Sequence, residues 1–141
     1  MVEGDVELGK NTSVWFGSVL TAKPKITVGD KTNIQDRSVI VGDVEIGEGV
    51  TIGVIHTHIH THIHTHTHTH THTYTHTCLY PNPFTGHAAT LESCKVGEYS
   101  LVGIGAVVKK GAVLEPYSQI AAGCVVAEDT VVPTGTVRLC G

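Results

Sequence analysis

A period of six governs this chain. Aliphatic residues recur at Val2, Leu8, Val14, Leu20 and Ile26, then after a slip of two at Val28, Ile34, Ile40, Ile46 and Ile52. They resume at Leu91, slip by one residue to Val96, and continue at Val102, Val108, Leu114, Ile120, Val126 and Val132. A helix repeats near 3.6 residues and a simple strand at two, so neither accounts for six. Short strands separated by corners do. Each strand turns one aliphatic inward, and the glycine that often follows ("LGKNTS", "VGDKTN", "IGEGVT", "VGEYSL") lets backbones approach or turns the corner. Three such strands close a triangular coil of about eighteen residues, and stacked coils bury a continuous apolar column. The expected fold class is therefore all-β, a parallel β-helix of hexapeptide repeats with about five to six triangular coils. A β-sandwich has no reason to hold one phase over so many hexads. "TAKPK" after Leu20 contains Pro24, which has no N–H to give a ladder, and reads as a loop budding from a corner.

Composition agrees. The 141 residues are 40% hydrophobic and 5% aromatic with 16 glycines, which suits one turn-rich β domain better than a helical bundle. A formal charge of −4 gives no electrostatic reason to expect nucleic acid or an anionic membrane as partner. No apolar run is long enough to span a bilayer, and no signal or transit peptide is visible at the start. Cys78, Cys94, Cys124 and Cys140 have no zinc-like spacing and read as reduced thiols, two of them buried.

One tract departs from the hexads. Ten of the eleven histidines lie between Gly53 and Cys78, alternating with threonine or isoleucine. Merging Gly53 with Gly86 gives "IGEGVTIGHAATLESC", which places Leu91 six residues after Ile52 and closes the coil with nothing to spare. Residues 1–53 thus read as the N-terminal coils, 54–85 as a low-complexity insertion, and 86–141 as the C-terminal coils of the same domain. Thr-His alternation is what a repeated AC dinucleotide encodes, and "CLYPNPFTG" fits a pyrimidine-rich stretch before an AG acceptor. The excised length, 99 bases counted from residues 54–85 and the split glycine codon, preserves the frame. We read the tract as a retained intron or gene-model artefact whose polar composition predicts disorder. The competing reading is a metal-binding strand, since alternate histidines would stand on one face about 6.6 Å apart. That ladder fixes no further ligand, supporting shell or substrate cavity.

Within the repeat, several strings resemble the gamma-class carbonic anhydrase family. They are "SVWFGSVL" (Ser13 to Leu20), "TNIQDRSVI" (Thr32 to Ile40), "GHAATLESC" (Gly86 to Cys94), "LVGIGAVV" and "IAAGCVV". The resemblance spans the chain outside 54–85. It implies a left-handed β-helix that assembles as a trimer, with a metal held by three histidines between neighbouring subunits. Three neutral ligands leave zinc one open position and lower its bound water's pKa to about 7, supplying hydroxide for carbon dioxide.

Matched position by position, the ligand set is incomplete. The first ligand position falls on Val41, the second on His87, and the third on Glu92, an oxygen donor where the family has histidine. His56 in "VIHTH" imitates the missing Ile-His by coincidence. Asn33, Gln35 and Asp36 occupy the family's polar catalytic positions, and also read as corner and subunit-contact residues. "TAKP" stands where the family carries Arg-Gly-Asp, leaving Arg37 and Lys23 as substitute partners for Asp36. The resemblance therefore points to a homo- or hetero-trimeric scaffold, with zinc the implied cofactor on a depleted ligand set and enzyme activity disfavoured. Carbonic-anhydrase-like subunits of mitochondrial respiratory complex I are the precedent for such a role, and they imply a mitochondrial location. The alternatives are a zinc-dependent anhydrase completed by a partner subunit and, more remotely, a hexapeptide acyltransferase binding acetyl-coenzyme A. Both ends read as incomplete, with the family's C-terminal helix absent.

The intron reading makes a direct prediction. Sequencing of reverse-transcribed message should show most transcripts joining the Gly53 codon to the His87 codon. Messages running uninterrupted through the AC repeat would overturn it.

Overall fold

The computed structural model describes residues 1–54 and 88–139. His87, His56, Cys78, Cys140 and nearly all of the insertion lie outside the described residues. Fifteen strands follow in order, with no helix among the described residues. They are β1 (Val2–Leu8), β2 (Ser13–Val14), β3 (Val19–Val28), β4 (Asn33–Ile34), β5 (Val39–Ile46), β6 (Thr51–Val54), β7 (Thr90–Glu92) and β8 (Lys95–Val96). Then come β9 (Leu101–Gly103), β10 (Val107–Val108), β11 (Val113–Leu114), β12 (Gln119–Ile120), β13 (Val125–Val126), β14 (Val131–Val132) and β15 (Val137–Arg138).

All ladders are parallel, and each strand pairs with the one a full coil away. β1, β3 and β5 run round a corner without a break, so each serves two faces of the triangle. The first face stacks the leading halves of β1, β3 and β5 with β7, β10 and β13. The second stacks their trailing halves with β8, β11 and β14. The third runs β2-β4-β6-β9-β12-β15. Every face therefore carries six rungs of a left-handed β-helix.

The register is the hexad column made physical. Leu20 pairs with Ile40 and Ile40 with Leu91, while Ile34 pairs with Ile52 and Ile52 with Val102. From Leu20 to Val132 the predicted aliphatics are buried as one core. Val2 and Leu8, on the first rung, remain about half exposed at 56% and 48%. On the last rung Arg138 stands beside Ile120, where earlier coils place an aliphatic.

Two glycine roles separate. The glycine just after an inward aliphatic serves close stacking: a Cβ on Gly29 would lie 2.6 Å from the Glu48 backbone nitrogen of the next coil. The left-handed turn comes two residues later and is not reserved for glycine. Asn11, Lys31, Gly49, Tyr99, Tyr117 and Gly135 fill it in successive coils with φ between 53° and 68°. Side chains then ladder along that corner. Lys31 Nζ lies 2.8 Å from Glu48 Oε1, and the Tyr99 hydroxyl donates to the same oxygen at 3.3 Å. The Tyr99 and Tyr117 rings stack at 5.5 Å.

One expectation is corrected. "TAKPK" is not a loop budding from a corner, because β3 passes through it unbroken. Between Ala22 and Ile26 it holds two more residues than β5 does between Gly42 and Val44. Pro24 sits in that bulge, where the ladder asks no N–H of it. The cysteine reading agrees in part: Cys94 and Cys124 are both buried.

Depth in the column should set the cost of truncation. Ile40→Ala, at a fully buried position, should cost about 2–5 kcal/mol. Val2→Ala should stay within about 0.5 kcal/mol. Urea denaturation midpoints of the two variants check this.

Candidate functional site

The structure brings two of the predicted ligand positions together. Ile40 and Leu91 point inward at zero exposure, so their successors Val41 and Glu92 point outward from the first face. Val41 and Glu92 are direct ladder partners, one rung apart, and Thr21 pairs with Val41 on its other side. Neighbouring rungs of a sheet lie roughly 4.8 Å apart, a spacing two side chains can span to share an ion.

The turn after this pair explains the five-residue step between Leu91 and Val96. Its coil has one residue fewer than the coil below, and Ser93 makes up the difference. Ser93 N donates to the Val41 carbonyl at 2.9 Å, and Asp43 N donates to the Ser93 hydroxyl at 3.3 Å. The Ser93 carbonyl accepts from Gly111 N at 2.9 Å in the coil above. Ser93 holds φ 40° to do so. Cys94 beside it is 2% exposed, and burial pushes its thiol up to about 12. A thiol so held stays protonated at neutral pH.

Asn33 stands apart, on the third face in β4. It accepts from the Ser13 hydroxyl, which in turn accepts from Trp15 Nε1 at 3.2 Å. Gln35 lies at the corner between third and first faces, where its N–H donates to Ile52 O at 3.0 Å and its carbonyl accepts from Ser18 Oγ at 2.8 Å. Asp36 and Arg37 form the turn that follows, with Arg37 at φ 55° and its N–H on the Phe16 carbonyl. Within one chain, Asn33 thus lies on a different face from Val41 and Glu92. Gln35 and Asp36 precede β5 at the opposite edge of the first face from Val41.

Zinc fits the described residues poorly. Val41 offers no donor, Glu92 offers one carboxylate, and no three His, Cys, Asp or Glu side chains converge among the described residues. His87 lies outside them.

Sequence reasoning missed a groove of about 650 Å³ along the corner between first and second faces. Lys23, Asp43, Ser93, Lys95, Lys110 and Asp129 line it from successive coils. The signal was available only as residues roughly one coil apart, and the bulge in β3 and the short step at Ser93 blur that spacing.

The fold and register define a hexapeptide-repeat, left-handed β-helix protein. No family model matches the chain. It is 31% identical over 137 residues to "Gamma carbonic anhydrase 1, mitochondrial" of Arabidopsis thaliana, covering 96% of this chain and 42% of that protein. To "Gamma carbonic anhydrase 2, mitochondrial" of the same plant it is 32% identical, covering 96% and 41%. Among solved structures it resembles a hexapeptide transferase family protein from Anaplasma phagocytophilum, with TM-score 0.70 and 31% identity over 96% of this chain and 63% of that one. A putative acetyltransferase from Bacillus cereus shares the fold at TM-score 0.66 and 23% identity, over 96% of this chain and 63% of that one. These matches support a gamma-carbonic-anhydrase-like family assignment. It spans about two fifths of the length of the curated relatives named above.

The tight corner beside Val41 is testable. Gly42 has φ 95°, and a Cβ there would run into the Ser93 side chain. Gly42→Ala should cost about 1–3 kcal/mol. Adding Ser93→Gly should recover the steric part alone, as read by thermal unfolding.

Proposed function

We propose that this chain is a scaffold or assembly subunit of gamma-carbonic-anhydrase type, working as a homo- or hetero-trimer and not as a self-sufficient anhydrase. The observation that carries the reading is Val41 opposite Glu92. The family resemblance asks for imidazoles at both places, and the ladder pairs an isopropyl group with a carboxylate instead. The stacked column gives such a subunit rigidity, and the flat faces give it surfaces for contact with like subunits. Asn33, Gln35 and Asp36 then serve corners and subunit contacts, with His87 as a remaining ligand-type residue. A mitochondrial site of action, and respiratory complex I as the host assembly, follow from the resemblance. The names of the Arabidopsis relatives, which carry "mitochondrial", support the location. We also propose that residues 54–85 are no part of the working subunit.

The second reading is an anhydrase whose missing ligands come from a partner subunit. It is favoured by the outward placement of Val41 and Glu92, which leaves them open to a neighbour. A coenzyme A-dependent acyl transfer is the remote third, supported by the likeness to the Anaplasma hexapeptide transferase family protein.

Metal content separates these readings. The purified chain, with 54–86 removed so that tract histidines do not bind metal themselves, should hold well under one zinc per subunit and hydrate carbon dioxide at the background rate. Val41→His with Glu92→His should raise zinc retention toward one per subunit. One tightly held zinc with hydratase activity in the unmutated chain would overturn the scaffold reading. Activity only after co-expression with a histidine-complete relative would favour the second, and saturable coenzyme A binding the third.

A further inference from the structure

Hydroxyls ahead of the inward aliphatics of this β-helix follow a recurring pattern, from which Ser118 departs by sharing a bond with the Ser100 hydroxyl at 3.2 Å. A Ser or Thr two residues before an inward aliphatic donates to the carbonyl of the residue just after an inward aliphatic in the next coil. Thr12 donates to Gly29 at 3.1 Å, and Ser18 to Gln35 at 2.8 Å. Thr32 donates to Gly47 at 2.9 Å, and Ser100 to Glu115 at 3.2 Å. Ser38 precedes Ile40 in the same way and is fully buried, yet its Oγ has no hydrogen-bond partner.

The pattern names the acceptor that Ser38 lacks. The residue after Ile52 in the next coil is Gly53, the rung neighbour of Gln35. Here the third-face register breaks: Ile52 pairs with Val102, but Val54 takes the place beside Gly103, leaving Gly53 as an extra residue. A bulge turns its backbone groups out of line with the ladder. The orphaned hydroxyl and the bulge therefore meet at the same backbone position. A buried donor without an acceptor costs more than the same site with an apolar side chain.

We infer that Ser38 is built to donate to the Gly53 carbonyl, and that this bond forms only when the corner after Gly53 runs directly into His87. The continuous chain is then the one whose third and fourth coils close. This rests on hydrogen-bond geometry, independent of codons, and does not depend on the proposed scaffold role.

Ser38→Ala in the full chain tests it, since no bond is there to lose. The Tm should hold or rise slightly. In the chain lacking residues 54–86, the same substitution should lower Tm by roughly 4 °C, the value of one hydrogen bond in a domain this size. A drop of several degrees in the full chain would overturn the inference. Failure of the shortened chain to fold, or its indifference to Ser38→Ala, would do so too.

Discussion

The structure depends on one stacking constraint. Parallel rungs about 4.8 Å apart must each place an apolar side chain on the same inward line, coil after coil. Leu20, Ile40, Leu91, Val108 and Val126 satisfy it on the first face, each in register with the next. Because contacts are made almost wholly between adjacent coils, a change of length in one coil must be absorbed locally or it shifts everything beyond. The bulge in β3 and the Ser93 turn are two such absorptions, one taking up two extra residues and the other bridging a missing one.

The same constraint shapes the candidate site. A residue following an inward aliphatic points outward, so Val41 and Glu92 become neighbours through the register of the residues before them. The column dictates where ligands could stand, while side-chain identity decides whether they can act. Here the paired positions hold an isopropyl group and a single carboxylate. What surrounds them is packed and hydrogen-bonded, with Cys94 buried and the Ser93 turn bonded to the coils on both sides.

Much of this was legible in the residues alone. The fold class, the buried column and the pairing of coils all follow from a six-residue spacing that no helix or simple strand produces. The outward places of Val41 and Glu92 could be found from the repeat, since each follows an inward aliphatic by one residue. Pro24 was misjudged because a proline argues against a ladder, whereas a bulge places it where no ladder bond is needed. The partnership of Ser38 was invisible, because it joins residues of adjacent coils through a carbonyl that every residue type carries.

By itself the sequence determined the repeat, its phase and the placing of Val41 and Glu92 one residue after inward aliphatics, since each is a matter of residue identity at fixed spacing. Tertiary structure alone decided which outward residues become neighbours, how Ser93 and the β3 bulge keep the rungs aligned, and that the Ser38 hydroxyl is left without an acceptor beside Gly53. The physical reason is common to all three. Contacts between coils depend on register, and register is the accumulated result of every corner before it.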